Sequence, residues 1–169
     1  MSDYSLYRFI DIHGVRCMNE SEAGSGRNCI KPRRSYAPPY LLSHDDDPEM
    51  VLFVPFTEVV SIRSFALVGN VSHVKLFVNR DDVDFSSGPA AQEVDITMDV
   101  DYPLKSRAFG HVTSVTLILD AIETPSRVSF LGFKGSSTGI QHRSAPIAVY
   151  ESRAQLEDHH KAVRRAGAE

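Results

Sequence analysis

The stretch Val74-Lys75-Leu76-Phe77-Val78-Asn79 decides the fold. Successive side chains of an extended strand point to opposite faces, so Val74, Leu76 and Val78 share one face while Lys75, Phe77 and Asn79 share the other. This reads as a half-buried strand. Working backward, residues 61–68 form an apolar-rich run closed by Gly69-Asn70, and residues 50–56 form another that ends at Pro55-Phe56. Working forward, residues 93–96 and 104–109 are weaker candidates. Val115, Leu117 and Leu119 alternate with Thr116, Ile118 and Asp120, and residues 128–133 alternate again. Turn chemistry separates these runs at Asp81-Asp82, Ser86-Ser87-Gly88-Pro89, Tyr102-Pro103, Thr124-Pro125 and Gly135-Ser136-Ser137. No interior segment carries a sustained apolar stripe of period 3.6, which argues against a parallel sheet with crossover helices. Short strands at close intervals predict an antiparallel sandwich or barrel.

The chain has 169 residues, 42% of them hydrophobic, enough for one sizeable core and one compact domain. Eighteen Lys and Arg stand against 22 Asp and Glu, a net charge of -4. That balance offers no field to hold a polyanion, so nucleic-acid binding is not expected. Residues 1–12 lack the basic and apolar regions of a secretory leader, and no stretch approaches the roughly 20 apolar residues of a membrane span. No membrane association is expected, and the cytoplasm or nucleus is the expected location. Cys17 and Cys29 are too few for a disulfide framework and read as free thiols of a reducing compartment. In such a protein the triplets Asn19-Glu20-Ser21 and Asn70-Val71-Ser72 are chance matches to a glycosylation signal.

The two ends read differently from the middle. Residues 19–48 are rich in Gly, Ser, Pro and charge, which predicts ordered loops. At the far end Val149, Leu156 and Val163 fall at heptad spacing, with Glu151, Glu157 and Asp158 preceding Lys161, Arg164 and Arg165. That charge order suits a helix dipole, so residues 149–169 read as a polar helix or tail following a single β-sandwich over 1–148.

Several motifs raise chemistry and lack its context. Gly135-Ser136-Ser137-Thr138-Gly139 matches a nucleophile elbow, but no helical pattern follows it, and a flexible Gly/Ser loop is the plainer expectation. His44 beside Asp45, Asp46 and Asp47 is the one cluster of acid and imidazole, and it reads as a solvated loop rather than a cation site. His159 and His160 read as surface residues. Cys17 and Cys29 do not form the Cys-x-x-Cys pair of redox chemistry. Lys31, Arg33 and Arg34 are a small basic cluster that reads as plain surface. No catalytic, cofactor-binding or metal-ligating residue is assigned.

The order of the remaining landmarks resembles a known family. Cys17-Met18-Asn19-Glu20-Ser21, then Asn28 ahead of a basic segment, then the turn Asp45-Asp46-Asp47 leading into residues 50–56, are similar to the PITH domain. The later strands at 74–79, 109–119 and 128–135 fit as well, so the resemblance spans about residues 8–140. It implies a jelly-roll β-sandwich of the galactose-binding-like kind that acts as a non-enzymatic interaction module on the regulatory particle of the proteasome. Two departures matter. Pro48-Glu49 stands where the family commonly has Glu-Gln, and the chain has no Trp and no Cys-x-x-Cys, so it resembles the stand-alone type without a thioredoxin domain.

Within this reading, Cys17, Asn19, Ser21 and Asn28 are family-motif residues with a structural role, since Asn and Ser side chains tie irregular loops to backbone. Asp45, Asp46 and Asp47 are the candidate partner-binding residues, with the 149–169 segment as the other candidate surface. A monomer without cofactor is expected. The alternative reading is a jelly-roll domain that binds a small ligand or carbohydrate, against which stands the lack of a Trp to stack on a sugar.

Overall fold

A computed structural model describes residues 4–141 of the chain. The readings placed on Val149, Leu156, Val163, His159, His160 and the 149–169 segment lie outside the described residues. In chain order the strands are β1 (Tyr4–Ser5), β2 (Arg16–Met18), β3 (Leu41–Leu42), β4 (Met50–Gly69), β5 (Val71–Val78), β6 (Gln92–Asp95), β7 (Tyr102–Pro103), β8 (Val112–Ala121) and β9 (Arg127–Gln141). Three short 3-10 turns, Tyr7–Phe9, Ile12–Gly14 and Ser25–Cys29, complete the elements, and there is no α-helix among the described residues. No helix there is long and apolar enough to cross a membrane.

Every pairing between strands is antiparallel. The first half of β4 pairs with β8 from Met50↔Leu119 to Pro55↔Ser114, and its second half pairs with β9 from Val60↔Ser137 to Gly69↔Val128. The register with β8 breaks between Pro55 and Val60. Met50 faces Leu119, while Val71, just past the Gly69-Asn70 hairpin, faces Ala121. Both ends of this 20-residue strand therefore lie at one end of the molecule, and β4 doubles back at its middle to serve two sheets. The first sheet runs β2-β4-β8-β5-β6. The second runs β7-β4-β9, with β1 and β3 along the far edge of β9.

The core lies between these layers. Met50, Leu52, Val54 and Phe56 enter it from the first half of β4, and Val60, Ile62, Phe65 and Leu67 from the second. The inward set changes parity between Ile62 and Phe65. A register slip between Ile62 and Ser64 inserts Arg63 as an extra residue, and an extra residue turns the side chains that follow to the other face. Val74, Leu76, Val115, Leu117 and Leu119 are completely buried in the same core, as their alternation predicts, and Val78 packs half-buried against it.

Three local expectations are corrected. Residues 104–109 do not form a strand, whereas Tyr102-Pro103, which reads as a turn, forms β7 opposite Ser64 and Phe65. The Tyr102 ring stacks on Phe65 at 5.6 Å, and its hydroxyl accepts from the amides of Thr97 and Met98, so one side chain fixes both the strand and the loop before it. Gly135 to Gly139 is not a flexible loop but part of β9. A Cβ on Gly135 would collide with the Ser61 carbonyl, so the glycine is what lets β4 and β9 close there. Finally, Phe77, on the polar face of the opening hexapeptide, is buried. It joins Val51, Ile118 and Val83 in a second cluster outside the first sheet, covered by the loop after β5.

Candidate functional site

Residues 19–49 contain little regular structure and are held by side chains that reach backbone. Asn19 has a positive φ of 69°, a conformation that Asn tolerates, and its Nδ2 donates to the carbonyls of Asp47 at 3.1 Å and Glu49 at 2.7 Å. Glu20 clasps the neighbouring turn, its two oxygens accepting from the amides of Gly24 (2.8 Å) and Gly26 (2.7 Å). The amide of Ser21 donates to the carbonyl of Leu42. Asn28 Nδ2 donates to the carbonyl of Tyr40 at 3.1 Å. Asn19, Ser21 and Asn28 therefore span from β2 to the acidic turn and to the entrance of β3.

Cys17 and Cys29 are free thiols, Cys17 packing against Gly26 and Cys29 donating its thiol hydrogen to the Gly26 carbonyl at 3.3 Å. Burial raises the Cys29 thiol to about 12, and burial with the nearby Glu20 charge raises Cys17 as well. Neither has the lowered pKa of a reactive thiolate.

The turn so anchored exposes Asp45, Asp46 and Asp47 at one end of the sandwich. Asp47 also accepts the amide of Glu49 at 2.9 Å, an Asx-type closure of the turn. Glu49 leads into β4 and feels Asp47, Asp120 and Lys75. Its carboxyl pKa is raised, first by burial and then by the Asp120 and Asp47 charges, with Lys75 opposing. The β8–β9 connection brings Ile122 and Glu123 to the same end, because Ala121 pairs with Val71 and Met50 with Leu119. Ile122 is 89% exposed. An acidic rim with a projecting apolar side chain is thus the most distinctive surface of this end.

Beside it, on the outside of the second sheet, a cleft of about 470 Å³ lies between Tyr36 and the 96–99 loop, with Asn70 and Ser129 in its wall. Tyr36 is 67% exposed. Many of the cleft's polar groups are already engaged. Asn70 donates to Pro125 and accepts from the Arg127 amide, and Ser129 donates to Ser35 and Val68. Asp99 pairs with Arg34 at 3.1 Å.

The other sequence candidates fall elsewhere. Arg34 is spent on Asp99 and Asp101 and Lys31 on the carbonyl of Ala37. Ser137, in the elbow-like motif, donates to Glu58. Among the described residues no three His, Cys, Asp or Glu side chains converge as a metal-holding group, His44 and its neighbours included. The sequence reading missed Glu20, Glu49, Asp120 and Ile122. Glu20 lay inside the quoted motif and Glu49 in the noted Pro48-Glu49 step without being given a role, and Ile122 carried a local signal as an isolated branched apolar residue ahead of the turn residues Thr124-Pro125.

Comparison with known proteins extends these observations. A family model described as the PITH domain matches residues 1–154, and that description names no catalytic activity. A PITH domain-containing protein of Caenorhabditis elegans is 33% identical, the alignment covering 92% of this chain and 82% of the relative. A Drosophila melanogaster relative is 32% identical over 93% and 81%, and PITH domain-containing protein 1 of Homo sapiens is 27% identical over 92% and 81%. Among solved structures, the C-terminal domain of a chitobiase from Bacteroides fragilis superposes with a TM-score of 0.57 at 14% identity, covering 82% of this chain and all of that one. A family 32 carbohydrate-binding module from Clostridium perfringens, solved with galactose, gives 0.57 at 7% identity over 79% and 99%. At such identities the likeness concerns the fold, an all-β antiparallel sandwich of the galactose-binding-like kind.

Proposed function

This chain belongs to the PITH domain family, and from that premise we propose that it is a non-enzymatic interaction module that docks on the regulatory particle of the proteasome through its acidic loop end. The observation that carries the surface assignment is the pairing of exposed Asp45, Asp46 and Asp47 with the projecting Ile122 at the same end of a rigid sandwich. Rigid sandwiches present function on their end loops, and a desolvated apolar anchor inside a charged rim is the usual anatomy of a protein interface. The identity of the partner is what the family resemblance implies, and the expected setting is a monomer in the cytoplasm or nucleus.

The test is capture of purified proteasome regulatory particle by the folded chain, by its Asp45, Asp46 and Asp47 to Asn triple variant, and by Ile122→Asp. The triple variant is expected to lose association rate and salt sensitivity, and Ile122→Asp to weaken binding by about ten-fold or more. Undiminished capture by both variants would remove this surface, and no capture by wild type would remove the proteasome assignment.

A second reading, a small-ligand or carbohydrate module, is supported by the cleft beside exposed Tyr36 and by the galactose complex of the similar family 32 module. It is weakened by the internal engagement of Asn70, Ser129 and Asp99. Glycan-array binding lost on Tyr36→Ala would favour it.

A further inference from the structure

The outside of the second sheet is flanked by two segments that come over its opposite edges. Ile30 bridges to Leu131 and Leu41 pairs with Val128, so residues 31–40 leave the β9 edge and return to it. Tyr102 pairs with Phe65, so the loop before β7 arrives over the β4 edge. The two segments meet through charge. Arg34 holds Asp99 at 3.1 Å and Asp101 at 2.7 Å, and Lys134 of β9 reaches the other oxygen of Asp101 at 2.7 Å. Asp99 lines the Tyr36 cleft, whereas Arg34, Asp101 and Lys134 line a second cleft of about 420 Å³, so this bridge lies between the two.

Small outward positions make room for the second cleft. Phe65 and Leu67 enter the core, so Ala66 points outward, and across the ladder it faces Gly132. Phe130 and Lys134 flank Gly132 on the same face of β9. The Phe130 ring lies against Gly132, where an added Cβ would come within 2.5 Å of it. Ala66 is 5% and Phe130 8% exposed, so the cleft has a recessed apolar bottom under a charged rim. The rim is not balanced. Arg34 and Lys134 share the carboxylates of Asp99 and Asp101, whereas exposed Arg33 makes no hydrogen bond or ion pair among the described residues. Three cations against two carboxylates leave one positive charge over, on Arg33, in a chain whose net charge is -4.

We propose that this cleft binds a small monocarboxylate with an apolar body, its carboxylate on Arg33 and its body against Phe130 and Ala66. One unspent guanidinium matches one carboxylate, whose two oxygens fit its paired N–H donors. A phosphate with two charges would sit beside Asp101 with a single cation to meet it. An exposed ion pair alone contributes little, so the recessed apolar bottom supplies the rest of the affinity. The volume suits a small ligand, and the Arg34 bridge closes one end against an extended chain. The cleft shares no residue with the acidic end or the Tyr36 cleft, so the assignment is independent of both readings of function.

The test is an NMR titration of the isotope-labelled full chain with phenylpropanoate. Saturable shifts are expected at the amides of Arg33, Ala66 and Gly132, with a Kd of about 1 mM or below. Phenylpropanamide, which lacks the charge, and acetate, which lacks the body, should each bind about ten-fold more weakly or worse. Arg33→Gln changes an exposed side chain that holds nothing else, so the spectrum of the free protein should stay native while phenylpropanoate binding falls about ten-fold. The absence of saturable shifts would overturn the proposal, as would equal binding of the amide or equal binding by Arg33→Gln. Acetate as tight as phenylpropanoate would overturn it by reducing the site to a bare charge, and tighter inorganic phosphate would overturn the choice of a monocarboxylate. An acetylated peptide ending in Phe that binds the same residues about ten-fold tighter would overturn the small-molecule assignment in favour of a chain terminus.

Discussion

The sandwich from β4 onward and the irregular segment 19–49 are built on different physics. In the sandwich, long ladders bury alternating side chains, so Leu117 and its neighbours are fixed by apolar contact on a pleated surface. In the 19–49 segment almost nothing repeats, and a handful of polar side chains, chiefly Asn19, Glu20 and Asn28, satisfy backbone groups that have no ladder to join. Stability in the first region is spread over many contacts. In the second it is concentrated in a few hydrogen bonds, and the exposed acidic turn hangs on them.

Four experiments sharpen or break this contrast. The largest effect is expected at the thiols, which ask whether the irregular segment is as closed as the core. With Cys29 raised to about 12 against an ordinary 9.0, its native thiolate population falls about a thousand-fold. Alkylation of Cys29 at pH 8 should slow accordingly and become fast in urea. Rapid native labelling would show that the segment opens far more readily than the sandwich.

Next in size, Leu117→Ala deletes a fully buried side chain at the centre of the first sheet and should cost about 3 kcal/mol in urea unfolding. A cost below about 1 kcal/mol would mean that the core is not the rigid half of the pair. Asn19→Ala should cost about 1–2 kcal/mol through two carbonyls left without their donor. Asn19→Gly, which keeps the freedom to adopt a positive φ, should recover part of that loss. Equal loss in both variants would assign the whole effect to the hydrogen bonds, and near-neutral variants would show that the turn is held some other way.

The smallest effect is at His73 on β5, whose ring nitrogens contact Asp95 at 2.8 Å and Glu93 at 3.2 Å. Its pKa is raised, chiefly by the Asp95 hydrogen bond. A raised folded pKa stabilises fully below the unfolded value near 6.5 and fades as pH climbs through the folded value. The pair is solvent-exposed, so the contribution is a few tenths of a kcal/mol. Wild type should lose that much relative to His73→Gln between pH 5 and pH 8, and a flat difference would remove the role of this clasp in holding edge strand β6.

The sequence and the structure divide along the same line as the two regions. Val74, Leu76, Val115, Leu117 and Leu119 were legible because a strand's inward face follows from a period of two, a property of the local chain. The acidic turn was legible as charge, and the family resemblance was legible in the motif from Cys17 to Ser21. Asn19's partners were not, because Asp47 and Glu49 lie about thirty residues away and nothing local specifies them. Phe77 and the run from Gly135 to Gly139 were misread for a related reason. Whether an outward phenylalanine is covered, or a glycine pair is strand rather than loop, depends on which distant segment packs against it.

By itself, then, the sequence determined the all-β character of the described residues, the inward faces of the central strands and the family. The tertiary structure alone decided that β4 doubles back to serve two sheets, that Arg63 turns the face of its second half, and that Ile122 joins Asp45, Asp46 and Asp47 at one end. The physical reason is the range of the forces concerned. Alternation and turn chemistry act over a few neighbouring residues, whereas strand pairing and end-loop assembly join residues tens of positions apart, and are specified only when the whole core closes.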